Sequence, residues 1–314
     1  MSQPQMRVKA YKVDDNRTVA CLNWSPNGQT LAIGYRYDTV SFWHIEQGVT
    51  LKETLKISTG DVTRCMAFSP NGKILARGGT DKTVQLWDVA LSKKLAELDK
   101  PIGVKAKNFG PYTPLGFIRA FAFSPDGQTL AFNVVSGLYL WSLGDGKLVR
   151  LGDDIAKFNN LTYHPNGELL TRFGNSEAEF WDVNSQSLRG TVATGADRGA
   201  WSPDGQLLAT TEGKLLKIAV EKGGWFKGQK LTGSVVRAIE NQSCDSILWN
   251  PKRELLATAG DEVKLWNATD GRLLTTLQDY ERPSLQEGDA LSWSPDGKKL
   301  VGGSQGCLMV WSID

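Results

Sequence analysis

Residues 63–88 read TRCMAFSPNGKILARGGTDKTVQLWD, and the order of side chains in this stretch decides the fold. An apolar run ends on Phe68. Ser69-Pro70-Asn71-Gly72 then makes a tight turn, because Pro fixes φ, the Asn side chain bonds nearby backbone and Gly tolerates a positive φ. KILARGG from Lys73 returns as a second strand, and TVQLWD, rich in β-formers and carrying Trp87, is a third.

The same unit recurs along the whole chain. Its turn reads WSPNG at Trp24, FSPNG at Phe68, FSPDG at Phe123, YHPNG at Tyr163, WSPDG at Trp201, WNPKR at Trp249 and WSPDG at Trp293. The prolines, Pro26, Pro70, Pro125, Pro165, Pro203, Pro251 and Pro295, are 44, 55, 40, 38, 48 and 44 residues apart. That interval is close to the ~40–45 residues of a four-stranded propeller blade. Fifteen to seventeen residues after the proline stands a Trp: Trp43, Trp87, Trp141, Trp181, Trp266 and Trp311, with Ile218 in its place in the fifth unit.

Short strands, turn signals near every ten residues and this long period predict an all-β chain. The architecture is a seven-bladed β-propeller of four-stranded antiparallel blades, a single domain over residues 1–314. The seventh unit stops just after its third strand. Met6–Val13, MRVKAYKV, alternates as a strand does, so it is expected to pair beside the Trp311 strand, close the ring and remove an exposed sheet edge.

Composition narrows the function. Thirty-six Lys and Arg against 34 Asp and Glu leave a net charge of +2, so binding to nucleic acid through the phosphate backbone is not indicated. The start, MSQPQMRVKA, has no apolar signal region, and no later run approaches the ~20 apolar residues that span a bilayer, so no membrane association and a cytoplasmic location are expected. Cys21, Cys65, Cys244 and Cys307 form no CxxC pair, and with only His44 and His164 no metal site is expected. None of the Gly-Lys pairs is followed by Ser or Thr, so there is no phosphate-binding loop and no cofactor is implied. Gly302-Gly303-Ser304-Gln305-Gly306 has the GxSxG form, but it falls where the other units carry a hairpin turn. A nucleophilic serine needs a strand-to-helix elbow, so no catalytic residue is assigned.

These units resemble the WD-repeat family over essentially the entire chain, and the SP(D/N)G turns resemble those of bacterial WD-repeat proteins. The departures are specific. A Trp-Asp pair occurs only at Trp87-Asp88 and Trp181-Asp182, and the Gly-His pair of the family is absent. The family's Asp-His-Ser/Thr-Trp hydrogen-bond network is therefore incomplete in every unit, and stability is expected to lean on apolar packing between blades.

The resemblance implies a non-catalytic interaction scaffold or sensor module. One face, formed by the turns between second and third strands and by the connections between blades, binds protein or peptide partners. The chain would act as a monomer or as a subunit of a larger complex. By repeat alignment the residue six before each proline starts the innermost strand near the channel mouth: Ala20, Arg64, Arg119, Asn159, Asp197, Asp245 and Asp289. Arginines on blades two and three thus face aspartates on blades five to seven, a dipolar mouth suited to a peptide of both signs. Arg77 and Arg172 add to the basic side. The bland alternative is a set of solvated turn charges.

Two further stretches join this candidate surface. Tyr35, Arg36 and Tyr37 lie at the binding-face turn of blade one, and Tyr and Arg are favoured at interface hot spots. The insertion 99–117, DKPIGVKAKNFGPYTPLGF, carries Lys105, Lys107, Phe109, Tyr112 and Phe117 as an aromatic and basic lip, or is a tolerated surface loop. An alternative function is a small-ligand-binding or enzymatic propeller that uses the central channel.

Overall fold

The computed structural model describes residues 6–12, 18–36, 39–45, 49–56, 62–98, 117–134, 137–152, 158–174, 176–221, 230–239, 244–277, 291–303 and 307–313. They form seven four-stranded antiparallel sheets with no helix among the described residues. Each sheet is one blade. In the first six, the innermost strand leads to a second, a third and an outermost strand in chain order. The innermost strands are Val19–Trp24, Thr63–Phe68, Ile118–Phe123, Phe158–Tyr163, Gly199–Trp201, Ser246–Trp249 and Leu291–Trp293. Each of them contacts the innermost strands of the blades before and after it, and the seventh returns to the first, so the sheets close into a ring.

Blade seven takes its fourth strand from the start of the chain, as its truncated repeat requires. Met6–Lys12 pairs antiparallel with Cys307–Ile313, with Val8 opposite Trp311. A blade left with three strands would expose a row of unpaired backbone groups on Cys307–Ile313.

The buried side chains fall into seven clusters, and every cluster is drawn from two adjacent blades. Val84, Leu86 and Leu98 of blade two pack with Ile118, Phe121 and Phe132 of blade three, for instance, and Val19, Ile33 and Trp43 of blade one with Val301, Leu308 and Val310 of blade seven. The apolar alternation along each strand is what places one face of each blade against its neighbour. Packing between blades carries the ring.

The turns that announced the repeat share one chemistry. In blade one the Ser25 hydroxyl, with one proton to share, lies 2.7 Å from the Asn27 side-chain oxygen and 2.8 Å from the Thr30 carbonyl oxygen, and it accepts from the Thr30 amide at 2.9 Å. Gly28 sits at φ +70°, the left-handed region that a side chain disfavours. Where Ser is replaced, the new side chain reaches the next blade: His164 Nε2 lies 3.0 Å from the Gly205 carbonyl, and Asn250 Nδ2 donates to the Gly297 carbonyl at 2.8 Å.

The third-strand tryptophans do not share one partner. Trp43 Nε1 donates to Ser41, Trp87 to Gln85, Trp181 to Glu179 and Trp266 to Thr258. In three of these four blades the acceptor lies two residues earlier on the same strand. In these four blades a local hydrogen bond holds the third-strand indole.

Candidate functional site

The innermost strands run from one mouth of the channel to the Ser-Pro turns at the other. Blades one to four carry a β-bulge near the start of this strand: Val19 pairs with Tyr35 and Cys21 with Gly34, and the same shift occurs between Thr63 and Cys65, Ile118 and Ala120, and Phe158 and Asn160. The extra residues are Ala20, Arg64, Arg119 and Asn159, the ones that the repeat alignment singles out. A bulge sets two consecutive residues opposite one partner and re-aims their side chains. Arg64 and Cys65 accordingly line the same cavity, as do Arg119 and Ala120.

That cavity, of about 50 Å³, lies in the strand-start half of the channel. Arg64, Arg119 and Arg198, from blades two, three and five, line it with Asn23 and Asn160, and no acidic residue lines it among the described residues. A second cavity of about 160 Å³ shares Asn160, Leu161 and Arg198 with it and continues past Ser246 and Leu248 of blade six.

Phe117, the described end of the insertion, packs against Arg64 of the cavity wall. The residue is 41% exposed, with the Arg64 guanidinium carbon 5.5 Å from its ring centroid and Lys82 Nζ 5.8 Å from it. Cation–π contacts of this kind orient a guanidinium over an aromatic face. Lys82 belongs to the turn between the second and third strands of blade two, the position that the resemblance assigns to the binding face. The structure therefore joins parts of two sequence candidates, the charged ring and the insertion, into one rim of Arg64, Lys82, Phe117 and Arg119.

The acidic side is placed differently. Asp197 is exposed and accepts from the Ser176 amide of blade four at 3.1 Å. Its neighbour Arg198 faces the cavity instead, with its carbonyl accepting from the Thr211 amide at 3.1 Å. Arg198 stands five residues before Pro203, as Cys21, Cys65, Ala120 and Asn160 do before their prolines, and all five of these positions line the cavity. Asp245 is half-buried, and its amide donates to the Ala259 carbonyl at 2.7 Å. The adjoining Cys244 thiol is pushed up to about 12, first by burial and then by the charge of Asp245. Such a thiol is not a nucleophile at neutral pH.

Arg77 and Arg172 do not add to the basic surface. Their side chains are 0% and 2% exposed and form buried ion pairs with Asp81 and Glu179, because a guanidinium inside a blade requires a carboxylate beside it. Tyr35 is 3% exposed and lies in the core between blades seven and one, its hydroxyl accepting from Ser41 at 3.0 Å. Arg36 is half-buried. Tyr37, Phe109, Tyr112 and Asp289 lie outside the described residues, as do Lys105, Lys107 and Ser304. Gly302 and Gly303 of the GxSxG stretch pair with Met309 and Leu308 in a strand-to-strand hairpin.

With the ring and its rim in view, comparison with known proteins adds matches to repeat-family models. A model of the family "WD domain, G-beta repeat" matches residues 50–88 and 289–312, and one of the family "Anaphase-promoting complex subunit 4 WD40 domain" matches residues 5–63. Together with the seven-bladed ring these matches support a WD-repeat propeller. Coronin-7 of Bos taurus is 31% identical over 138 residues, which are 40% of this chain and 14% of that protein. The chain thus matches a small part of that relative's length. Among the described residues no helix is long and apolar enough to cross a membrane.

Proposed function

We propose that the chain is a non-catalytic interaction scaffold or sensor module. It binds a protein or peptide partner at the strand-start mouth of the channel, through Arg64, Arg119, Arg198, Lys82 and Phe117. The observation that carries this reading is the convergence of cationic side chains from three blades on one cavity, with an exposed aromatic ring at its rim. Arginine and aromatic anchors around a concave centre are the composition of an interface hot spot. The WD-repeat matches support the generic role. The SP(D/N)G turns support a likeness to bacterial WD-repeat chains.

The test is affinity capture from native lysate with the wild type, an Arg64→Glu/Arg119→Glu variant and an Asp197→Lys/Asp245→Lys variant, each first shown to melt as the wild type does. Loss of a partner in the arginine variant alone places binding on the basic mouth. Equal capture by all three removes this site. The second reading, a small ligand in the channel, rests on the cavity of about 160 Å³; it is favoured if no protein is captured.

A further inference from the structure

We infer that the partner segment received at this mouth presents a carboxylate beside an apolar or aromatic side chain, the carboxylate meeting Lys82 and the apolar group meeting the ring of Phe117. The inference rests on the reading of this mouth as the binding site and names the side-chain chemistry it recognises.

Lys82 carries the argument through its backbone and its charge. It is exposed in the turn between the second and third strands of blade two, at φ +62°, in the left-handed region that L side chains avoid. Gly78 pairs with Val84 across this turn as Ala209 pairs with Leu215 in blade five, so the counterpart of Lys82 is Gly213, at φ +71°. A glycine therefore fits the position. Ser92, Ser176 and Gln186, the other non-glycine residues with positive φ among those described, are uncharged. A lysine kept at a glycine position, on the face where the turns of several blades meet, is backbone strain of the kind that marks a functional residue.

The Lys82 charge is not matched within the protein. Asp81, beside it in sequence, is engaged elsewhere: its side chain is 8% exposed, pairs with the buried Arg77 guanidinium and accepts from the Thr83 hydroxyl at 3.0 Å. Among the described residues Lys82 Nζ meets no carboxylate and lies 5.8 Å from the centroid of the Phe117 ring. That contact orients the ammonium without neutralising it.

Phe117 supplies the other half. It is 41% exposed and lies against Lys82 on one hand and the Arg64 guanidinium on the other contact of its ring. Arg64 acts here by holding the ring, not as a donor to the partner. A partner cation would be repelled by Lys82. A carboxylate gains an ion pair, and an apolar neighbour that covers the ring shields that pair from water, which strengthens it.

The test is selection from a phage library of random peptides on the wild type, Lys82→Gly, Lys82→Glu and Phe117→Ala, each first checked by melting temperature. The wild type should enrich peptides with Asp or Glu adjacent to an aromatic or branched apolar residue. Lys82→Gly should melt at or above the wild type, because glycine relieves the turn, yet bind the enriched peptide about three- to tenfold more weakly and with a shallower dependence on salt. Lys82→Glu should turn the enrichment from acidic to basic residues, a reversal that a lysine with a merely structural role would not give. Phe117→Ala should keep the acidic preference and lose the apolar one. An unchanged acidic preference in folded Lys82→Glu, or no enriched peptide with the wild type, overturns the inference. Affinity capture keeps the two readings apart. A partner that needs Arg64 and Arg119 but binds Lys82→Glu as tightly as the wild type sinks this inference and leaves the scaffold reading standing, whereas a partner indifferent to all three residues sinks both.

Discussion

Replacing Glu179 with Ala removes one oxygen that three donors share. Glu179 Oε2 accepts from Arg172 Nε at 3.0 Å, from Arg172 Nη2 at 2.7 Å and from Trp181 Nε1 at 2.9 Å. The Arg172 side chain is 2% exposed and that of Glu179 18%, so truncation leaves a guanidinium inside blade four without its carboxylate. Breaking a buried pair on one side costs about 3–5 kcal/mol, and the partial exposure of Glu179 points to the lower end. At roughly 2–4 °C per kcal/mol the melting temperature should fall by about 6–12 °C. Arg172→Met/Glu179→Leu removes both charges together and should regain most of that loss, because the desolvated charge goes with its partner. Its residual deficit reflects the Trp181 indole N–H, which loses its acceptor. Thermal and urea unfolding of Arg172→Met, Glu179→Leu and the double variant completes the cycle. A Glu179→Ala protein within ~0.5 kcal/mol of wild type, or a double variant no better than the single, would refute the view that the pair holds blade four.

Other expectations follow from the same coordinates. Deleting residues 1–13 strips Met6–Lys12 from the Cys307–Ile313 edge and should lower the melting temperature by many degrees; an unchanged melt would mean that the ring closes without this strand. At Gly78 an added Cβ would meet Ile118 Cγ2 at 2.7 Å and the Phe121 ring at 2.8 Å, so Gly78→Val should wedge blades two and three apart at a cost of about 1–3 kcal/mol or more, while Gly144→Ala, with open space around it, should be neutral by the same urea titration. The Ser185 amide, and after it the Arg189 side chain, hold the Asp182 carboxyl down at about 2. A folded value below the unfolded ~3.9 means that this stabilisation is present above about pH 4 and is lost as the pH falls toward 2. Asp126 and Asp204, lowered first by the hydroxyls of Ser124 and Ser202, act with the same sign. Melting temperature followed from pH 6 to pH 2 should therefore drop, and less steeply in Asp182→Asn; equal slopes would remove Asp182 from the account.

How much of this the sequence discloses depends on what kind of information each feature needs. The blade count, the turn chemistry and the closing strand rest on local patterns repeated seven times, such as Ser-Pro-Asn-Gly at 69–72, and each copy reinforces the others. The site depends on single-residue register, which a pattern averaged over repeats does not carry. Repeat alignment picks the position six before each proline and so Asp197 in blade five, yet the next position, held by Cys65, Ala120, Asn160 and Arg198, lines the cavity as well. Only the spacing of Arg198 one residue beyond the aligned position hinted at it. Arg77 and Arg172 read as surface cations because their charge is visible in sequence while Asp81 and Glu179 across the hairpin are not visibly theirs. Tyr35 reads as a hot-spot aromatic for the same reason, although its ring completes an interface between blades.

The most direct test of the account places a photo-crosslinking phenylalanine analogue at Phe117, on the rim beside Arg64 and Lys82, and another at Val235, which is 57% exposed on the outermost strand of blade five. Irradiation in native lysate should give a discrete protein adduct from position 117 that is lost when Arg64 and Arg119 are both glutamate, and none from position 235. Adducts from Val235 alone, or adducts at 117 indifferent to the two arginines, would contradict the assignment of the channel mouth as the binding site.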